Sequence, residues 1–156
     1  MANDVPGISG KLTKFGVSTD GTDYKPMCIF GDLTVDFGNE VLNKEYCISS
    51  KEPYISLGNN EFADITYQSA WDEDSAVAEG VDIIEKAKSA STLEGSTIYV
   101  QVEINNSQGA SLKGTLFEYK AVVGGYKVLA VEDGVVKSEF TMAQTTIPTK
   151  TPSETP

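Results

Sequence analysis

EFADITYQSAWDEDSAVAEGVDIIEKAKSASTLEGSTIYVQVEI, residues Glu61 to Ile104, holds the clearest periodicity of this 156-residue chain. Its first part places Ala63, Ile65, Tyr67, Ser69 and Trp71 on one face and Asp64, Thr66 and Gln68 on the other, the period of two of a half-buried strand. The run Asp72, Glu73, Asp74, Ser75 then supplies carboxylates and a cap-type residue, which suit the positive end of a helix. At about 100° per residue, Ala76, Gly80, Ile83, Ile84 and Ala87 form an apolar stripe widened by Val77 and Val81, while Glu79, Asp82, Glu85 and Ser89 point away. The pattern predicts one helix from Ala76 to Ser91, with Lys86 and Lys88 near its negative end. Beyond it Ile98, Val100, Val102 and Ile104 alternate with Thr97, Tyr99, Gln101 and Glu103 as a second strand.

Upstream, Ser9 to Val17 alternates loosely into the turn STDGTD, and a return strand is expected near Lys25 to Phe30. Leu33, Val35 and Phe37 against Asp32, Thr34 and Asp36 predict a third strand. From Gly38 to Asn60 the periodicity decays, an unusual length for a weakly patterned segment inside a domain. Downstream, Leu112 to Val123 is extended with a change of apolar register near Leu116-Phe117 that suggests a bulge. Gly124-Gly125 is expected to break that strand, and Asp133-Gly134 to turn a hairpin into Val135 to Met142. Residues 1–143 thus read as one domain and 144–156, rich in threonine and proline, as a flexible tail.

Composition narrows the function classes. There are 23 acidic residues against 12 basic, a net charge of −11, which argues against gripping phosphate backbones. Residues Glu61 to Ala90 concentrate the acid, with eight carboxylates against two lysines. Histidine is absent, and no phosphate loop or metal-ligand spacing occurs. The N-terminus MANDVPGISG has neither a basic nor an apolar leader region, and no apolar run approaches membrane-spanning length, so cytosolic synthesis is expected. Cys28 and Cys47 read as small buried hydrophobes, a disulfide requiring an oxidising compartment.

Candidate sites are few. Asp72, Glu73 and Asp74 could offer oxygen ligands to a hard cation, but helix capping accounts for them and no calcium-loop spacing is present. Asp64 and Glu103, placed on neighbouring strands, could pair as glycosidase carboxylates only if their separation suited it. Trp71 with Tyr24, Tyr46, Tyr54, Tyr67, Tyr99, Tyr119 and Tyr126 could form a sugar platform, though Trp71 and Tyr67 share the apolar face of their strand. Asn105 opens an N-glycosylation triplet without a secretion signal to give it meaning. Catalytic, cofactor and metal sites are therefore expected to be absent.

The order of elements in Glu61 to Ile104 resembles the central segment of the tail tube proteins of long-tailed bacteriophages: an aromatic strand, an acidic turn, a single helix and an exit strand with a polar start. LKGTLFEYKAVVGGYKVLAVEDGVVKSEF, residues Leu112 to Phe140, resembles the closing strands of that fold, so the likeness spans Glu61 to Met142. It implies a mainly β fold, a sandwich or half-barrel of antiparallel strands with one flanking helix, shared with contractile-tail and type VI secretion tubes. It also implies a virion tail protein made in the host cytoplasm, whose homohexameric rings stack into a tube alongside tape-measure and tail-completion proteins. DNA would pass without specific binding, and the lumen face expected here is Glu61, Asp64, Thr66 and Gln68. The segment from about 38 to 60 stands where that family has an arm reaching the next ring, with Glu45, Tyr46, Glu52 and Tyr54 as contact candidates. The rival reading is a monomeric carbohydrate-binding or adhesin-like sandwich; an enzyme ranks third.

Overall fold

The computed structural model describes residues 13–46, 48, 52–104 and 114–153. Ten strands and one helix follow in the order β1 (Lys14–Ser18), β2 (Lys25–Met27), β3 (Ile29–Phe30), β4 (Asn39–Tyr46), β5 (Pro53–Glu61), β6 (Asp64–Ala70), α1 (Ala78–Ser89), β7 (Thr97–Ile104), β8 (Thr115–Leu129), β9 (Lys137–Gln144) and β10 (Thr149–Thr151). The fold is mainly β, a curled antiparallel half-barrel with a single helix, as the sequence pattern and the resemblance led one to expect. Its large sheet has the order β2-β1-β7-β8-β9-β6-β3, and β4 with β5 forms a separate two-stranded sheet.

The curl is visible in the chain itself. Strands β2 and β3 end the path on opposite sides yet are separated by one residue, Cys28, whose carbonyl accepts the Ala70 N–H at 2.8 Å. One extended segment thus pairs with β1 through its first half and with β6 through its second, bringing the edges of the sheet together and leaving less unpaired backbone. Met27 and Ile29 point inward by alternation, so Cys28 points out. It is exposed, and the expectation that it lies buried was wrong for that reason; Cys47 lies outside the described residues.

Alternation builds the core. Ile98, Val100 and Val102 of β7, Tyr119, Ala121 and Val123 of β8, and Phe140 and Met142 of β9 are buried with Phe15 and Val17. Phe15, Tyr67 and Phe140 form an aromatic cluster with ring centroids 5.6 to 6.4 Å apart. Helix α1 lays Gly80, Val81, Ile84 and Ala87 on this core. Ile84 is wholly buried, which contributes roughly 1.5–3 kcal/mol. Gly80 packs so closely that a Cβ there would stand 2.7 Å from the Pro26 carbonyl and from Met27.

Several local expectations give way. The helix is shorter than expected and starts after Val77 with no side-chain cap, because the polar run binds its own turn: Asp72 accepts the Asp74 N–H at 2.8 Å and Ser75 the Val77 N–H at 3.3 Å. Strand β8 is continuous past Gly124-Gly125, and its bulge lies between Val123 and Gly125, away from Leu116-Phe117. Glycines without side chains accommodate the extra residue without ending the ladder. The stretch 32–37 joins no ladder; side chains hold its backbone at Thr34 and Asp36 instead. The expected flexible tail carries β10, which continues along β8 at Leu116–Glu118, with Pro148 buried between. Backbone pairing orders it where apolar content would not: the Thr145 N–H donates to Lys120 O at 2.9 Å, and the Lys120 N–H to Thr146 Oγ1 at 2.9 Å.

Candidate assembly interface

The weakly patterned segment is a long hairpin. β4 and β5 pair from Asn39↔Glu61 to Tyr46↔Pro53, with one irregularity between Glu40 and Leu42, and they pack chiefly on each other. Gly38 turns the chain into it at a φ of 82°, a conformation that suits glycine. Directly opposed residues share a face, so Leu42, Lys44, Tyr46, Pro53, Ile55 and Leu57 lie on one side and Asn43, Glu45, Tyr54 and Ser56 on the other. The first side is apolar and open: Leu42, Tyr46, Ile55 and Leu57 are 52%, 66%, 58% and 69% exposed. This exposed apolar row makes the hairpin the candidate interaction surface.

Of the arm residues named from sequence, Glu45 and Tyr54 face each other on the polar side, Tyr46 joins the apolar side, and Glu52 is exposed before β5 begins. Leu42, Ile55 and Leu57 were missed. Lys44 interrupts the alternation in β4, and only the short Pro53-Ile55-Leu57 spacing could have signalled it.

The four residues named as a lumen face divide. Glu61 ends β5 and pairs with Asn39 in the hairpin sheet, because the chain leaves one sheet before β6 opens at Asp64. Asp64, Thr66 and Gln68 share the outward face of β6, where Thr66 Oγ1 meets Thr141 Oγ1 at 2.8 Å and Gln68 Nε2 donates to Glu139 at 3.2 Å. Lys127 lies 3.5 Å from the same Glu139. This is a polar, mixed-charge surface.

The alternative sites dissolve. Asp64 and Glu103 sit on β6 and β7, with β8 and β9 between them in the sheet, so they are not neighbours. The tyrosines scatter, Tyr67 and Tyr119 lying inside, and Trp71 is half-buried with its indole N–H donating to Glu85 at 3.0 Å. Glu85, expected to point to solvent, also accepts the Tyr126 hydroxyl at 2.6 Å because Trp71 and β8 wrap that side of the helix. Among the described residues no cluster of His, Cys, Asp or Glu could hold a metal ion, and no helix is long and apolar enough to cross a membrane. Each clear shift in acidity moves away from neutrality. Hydrogen bonds from Ser18, Thr22 and Asp23 hold Asp20 well below the usual carboxylate range; burial, then Glu118, pushes Tyr24 up; hydrogen bonds to Glu79 and Asp23 push Lys25 up.

No protein-family model matches the chain, and no curated protein matches it in sequence. Solved structures do. A chain of the extracellular contractile injection system PVC, from its sheath/tube terminator in the extended state, superposes with a TM-score of 0.62 at 12% identity, covering 96% of this chain and 99% of that one. This chain has a phage tail tube-like fold. The cap that terminates the anti-feeding prophage tube gives 0.59 at 11% identity, covering 97% and 95%. The tail of an empty GTA particle, solved with C6 symmetry, gives 0.57 at 11% identity, covering 93% and 99%. At such identities the likeness establishes the tube-like fold and does not single out long-tailed bacteriophages.

Proposed function

We propose that this protein is a structural subunit of a phage-like tail, which self-assembles into hexameric rings that stack into a tube conducting DNA. The observation that carries this reading is the β4–β5 hairpin, whose apolar side, with Leu42, Tyr46, Ile55 and Leu57, is exposed among the described residues. Such a surface is an aggregation hazard in a monomer and an interface in an assembly. The tube-like fold of the structural neighbours, all parts of tail or injection particles, supports the same role and a non-enzymatic one. The polar face of β6 with Asp64, Thr66 and Gln68 is assigned to the lumen, where acidic groups would let a polyanion slide without sticking. Tape-measure and tail-completion proteins are the further partners this role calls for, and the tail of the particle its location.

Size-exclusion chromatography and negative-stain microscopy of the purified protein test the reading. Rings of sixfold symmetry and stacked tubes are expected. A species that stays monomeric at every concentration and is retarded on glycan resin would replace it with the carbohydrate-binding alternative.

A further inference from the structure

Gln144 closes the inward row of β9, after Ser138, Phe140 and Met142, and it is buried like them although it is polar. Its amide nitrogen makes two hydrogen bonds, donating to Asp36 O at 2.6 Å and to Thr146 O at 2.9 Å. Both acceptors are carbonyl oxygens, which only the N–H side of an amide can serve, so the amide oxygen is turned away from them. That oxygen is buried with no hydrogen-bond partner among the described residues. A leucine would avoid this cost, and the two donated bonds are what offset it. The two carbonyls belong to different segments. Asp36 lies between two glycines of positive φ, Gly31 at 90° and Gly38 at 82°, in a stretch also held by Tyr67, whose hydroxyl accepts the Thr34 N–H at 3.0 Å. The Asp36 carboxylate in turn accepts the Gly38 N–H at 2.8 Å and the Ala63 N–H at 3.4 Å. Gly38 immediately precedes β4 and Ala63 immediately precedes β6, so Asp36 stands at both roots of the hairpin. Thr146 lies in the segment that leads β9 into β10 along β8.

We propose that Gln144 is a latch linking the C-terminal segment to the root of the hairpin. When residues 145–151 lie along β8, Thr146 O and Asp36 O are both in reach of one amide, and the root is held. When that segment leaves β8, the amide loses one of its two acceptors, its hold on Asp36 weakens, and residues 31–38 are released to turn about Gly31 and Gly38. The linkage is reciprocal, so a hairpin drawn out of position loosens the C-terminal segment by the same factor. β10 is the part suited to leave, being three exposed residues on the edge of β8 at Leu116–Glu118. A chain that takes this edge in place of β10 thereby frees the hairpin root. The latch is a property of the single subunit and does not depend on the assembly reading.

Amide hydrogen exchange, followed residue by residue by NMR, tests the latch on the full chain, on a chain lacking residues 147–156, on Gln144→Leu, and on the two changes combined. Exchange is read at the Thr34 and Gly38 N–H groups and at the Thr145 N–H, which donates to Lys120 O, with buried Val100 of β7 reporting global unfolding. Removing 147–156 is expected to speed exchange at Thr34 and Gly38 about fivefold, the scale of one hydrogen bond, while both stay faster than Val100. Gln144→Leu should speed exchange at Thr145 by a similar factor. In the Gln144→Leu chain the deletion should add less than about twofold at Thr34 and Gly38, because the two changes break the same link. Unchanged exchange at Thr34 and Gly38 after the deletion overturns the latch. So does a deletion effect that persists in full in Gln144→Leu, since the link would then run through Phe37, whose ring meets that of Phe117 on the stretch of β8 that pairs with β10. Should Gln144→Leu not fold, Phe37→Ala at an exposed position takes its place: a deletion effect that survives there supports the latch, and its disappearance overturns it.

Discussion

One carboxylate oxygen of Glu85 accepts hydrogen bonds from the Trp71 indole and the Tyr126 hydroxyl, tying α1 to the end of β6 and to β8. Glu85→Ala leaves both donors in a half-buried site, and the expected loss is about 1–3 kcal/mol by urea denaturation. Glu85→Gln keeps an oxygen acceptor and should lose clearly less; equal losses would mean that charge, not acceptance, holds the joint. Asp20 acts within a turn, accepting from Ser18 Oγ at 2.7 Å and from the Thr22 N–H at 2.9 Å. Its pKa is depressed in the folded chain, so its stabilisation is complete above the ordinary value of 3.8 and is lost as pH falls below that toward the folded-state value. Asp20→Ala should therefore melt lower than the parent at pH 7, with a gap that narrows only below about pH 4. A gap that closes already between pH 7 and 5 would contradict this. The STDGTD turn was legible from its residue types, whereas the role of Glu85 was not, since helical periodicity assigns it to solvent and only the return of β8 covers it.

At the scale of elements, the contact between α1 and β2 depends on a residue that helix propensity disfavours. Gly80→Ala would gain about 1 kcal/mol of helix propensity, but its Cβ would meet the Pro26 carbonyl, which cannot swing aside as a side-chain end can. With overpacking costing about 1–3 kcal/mol, the net expectation is a lower thermal midpoint. A higher midpoint would show that the helix can shift outward freely. Ile84→Asp, which buries an unpaired charge, should leave little folded protein by circular dichroism, and a soluble variant melting like the parent would contradict the packing of α1. Deleting residues 147–156 removes β10 and buried Pro148, and should lower the urea midpoint while exposing the β8 edge at Leu116–Glu118. An unchanged midpoint would show that β10 contributes nothing to the subunit.

At the scale of the whole molecule, folding and assembly should separate. Leu57→Asp changes a side chain that touches solvent in the subunit, so its melting temperature should match the parent while rings and tubes disappear in negative stain. Asp64→Lys tests the proposed lumen, because one added cation per subunit around a hole should retain short DNA at low salt where the native surface repels it. Intact tubes with unchanged retention would move this face out of the lumen, and failure to assemble would place it in an interface.

The sequence by itself determined the strands whose alternation is uninterrupted, Asp64–Ala70 and Thr97–Ile104, the helix between them, and the turn at Asp133-Gly134. These elements owe their form to local periodicity and turn chemistry, which need no distant partner. Tertiary structure decided the rest. β10 exists because β8 offers it a backbone edge; 32–37 stays out of a ladder because Tyr67 and Gln144 take its polar groups; Cys28 is exposed because one segment serves both ends of a curled sheet. The apolar side of the hairpin was hidden because Leu42 and Leu57 stand fifteen residues apart along the chain and become neighbours only through pairing across the two strands, so no window of local sequence contains the surface.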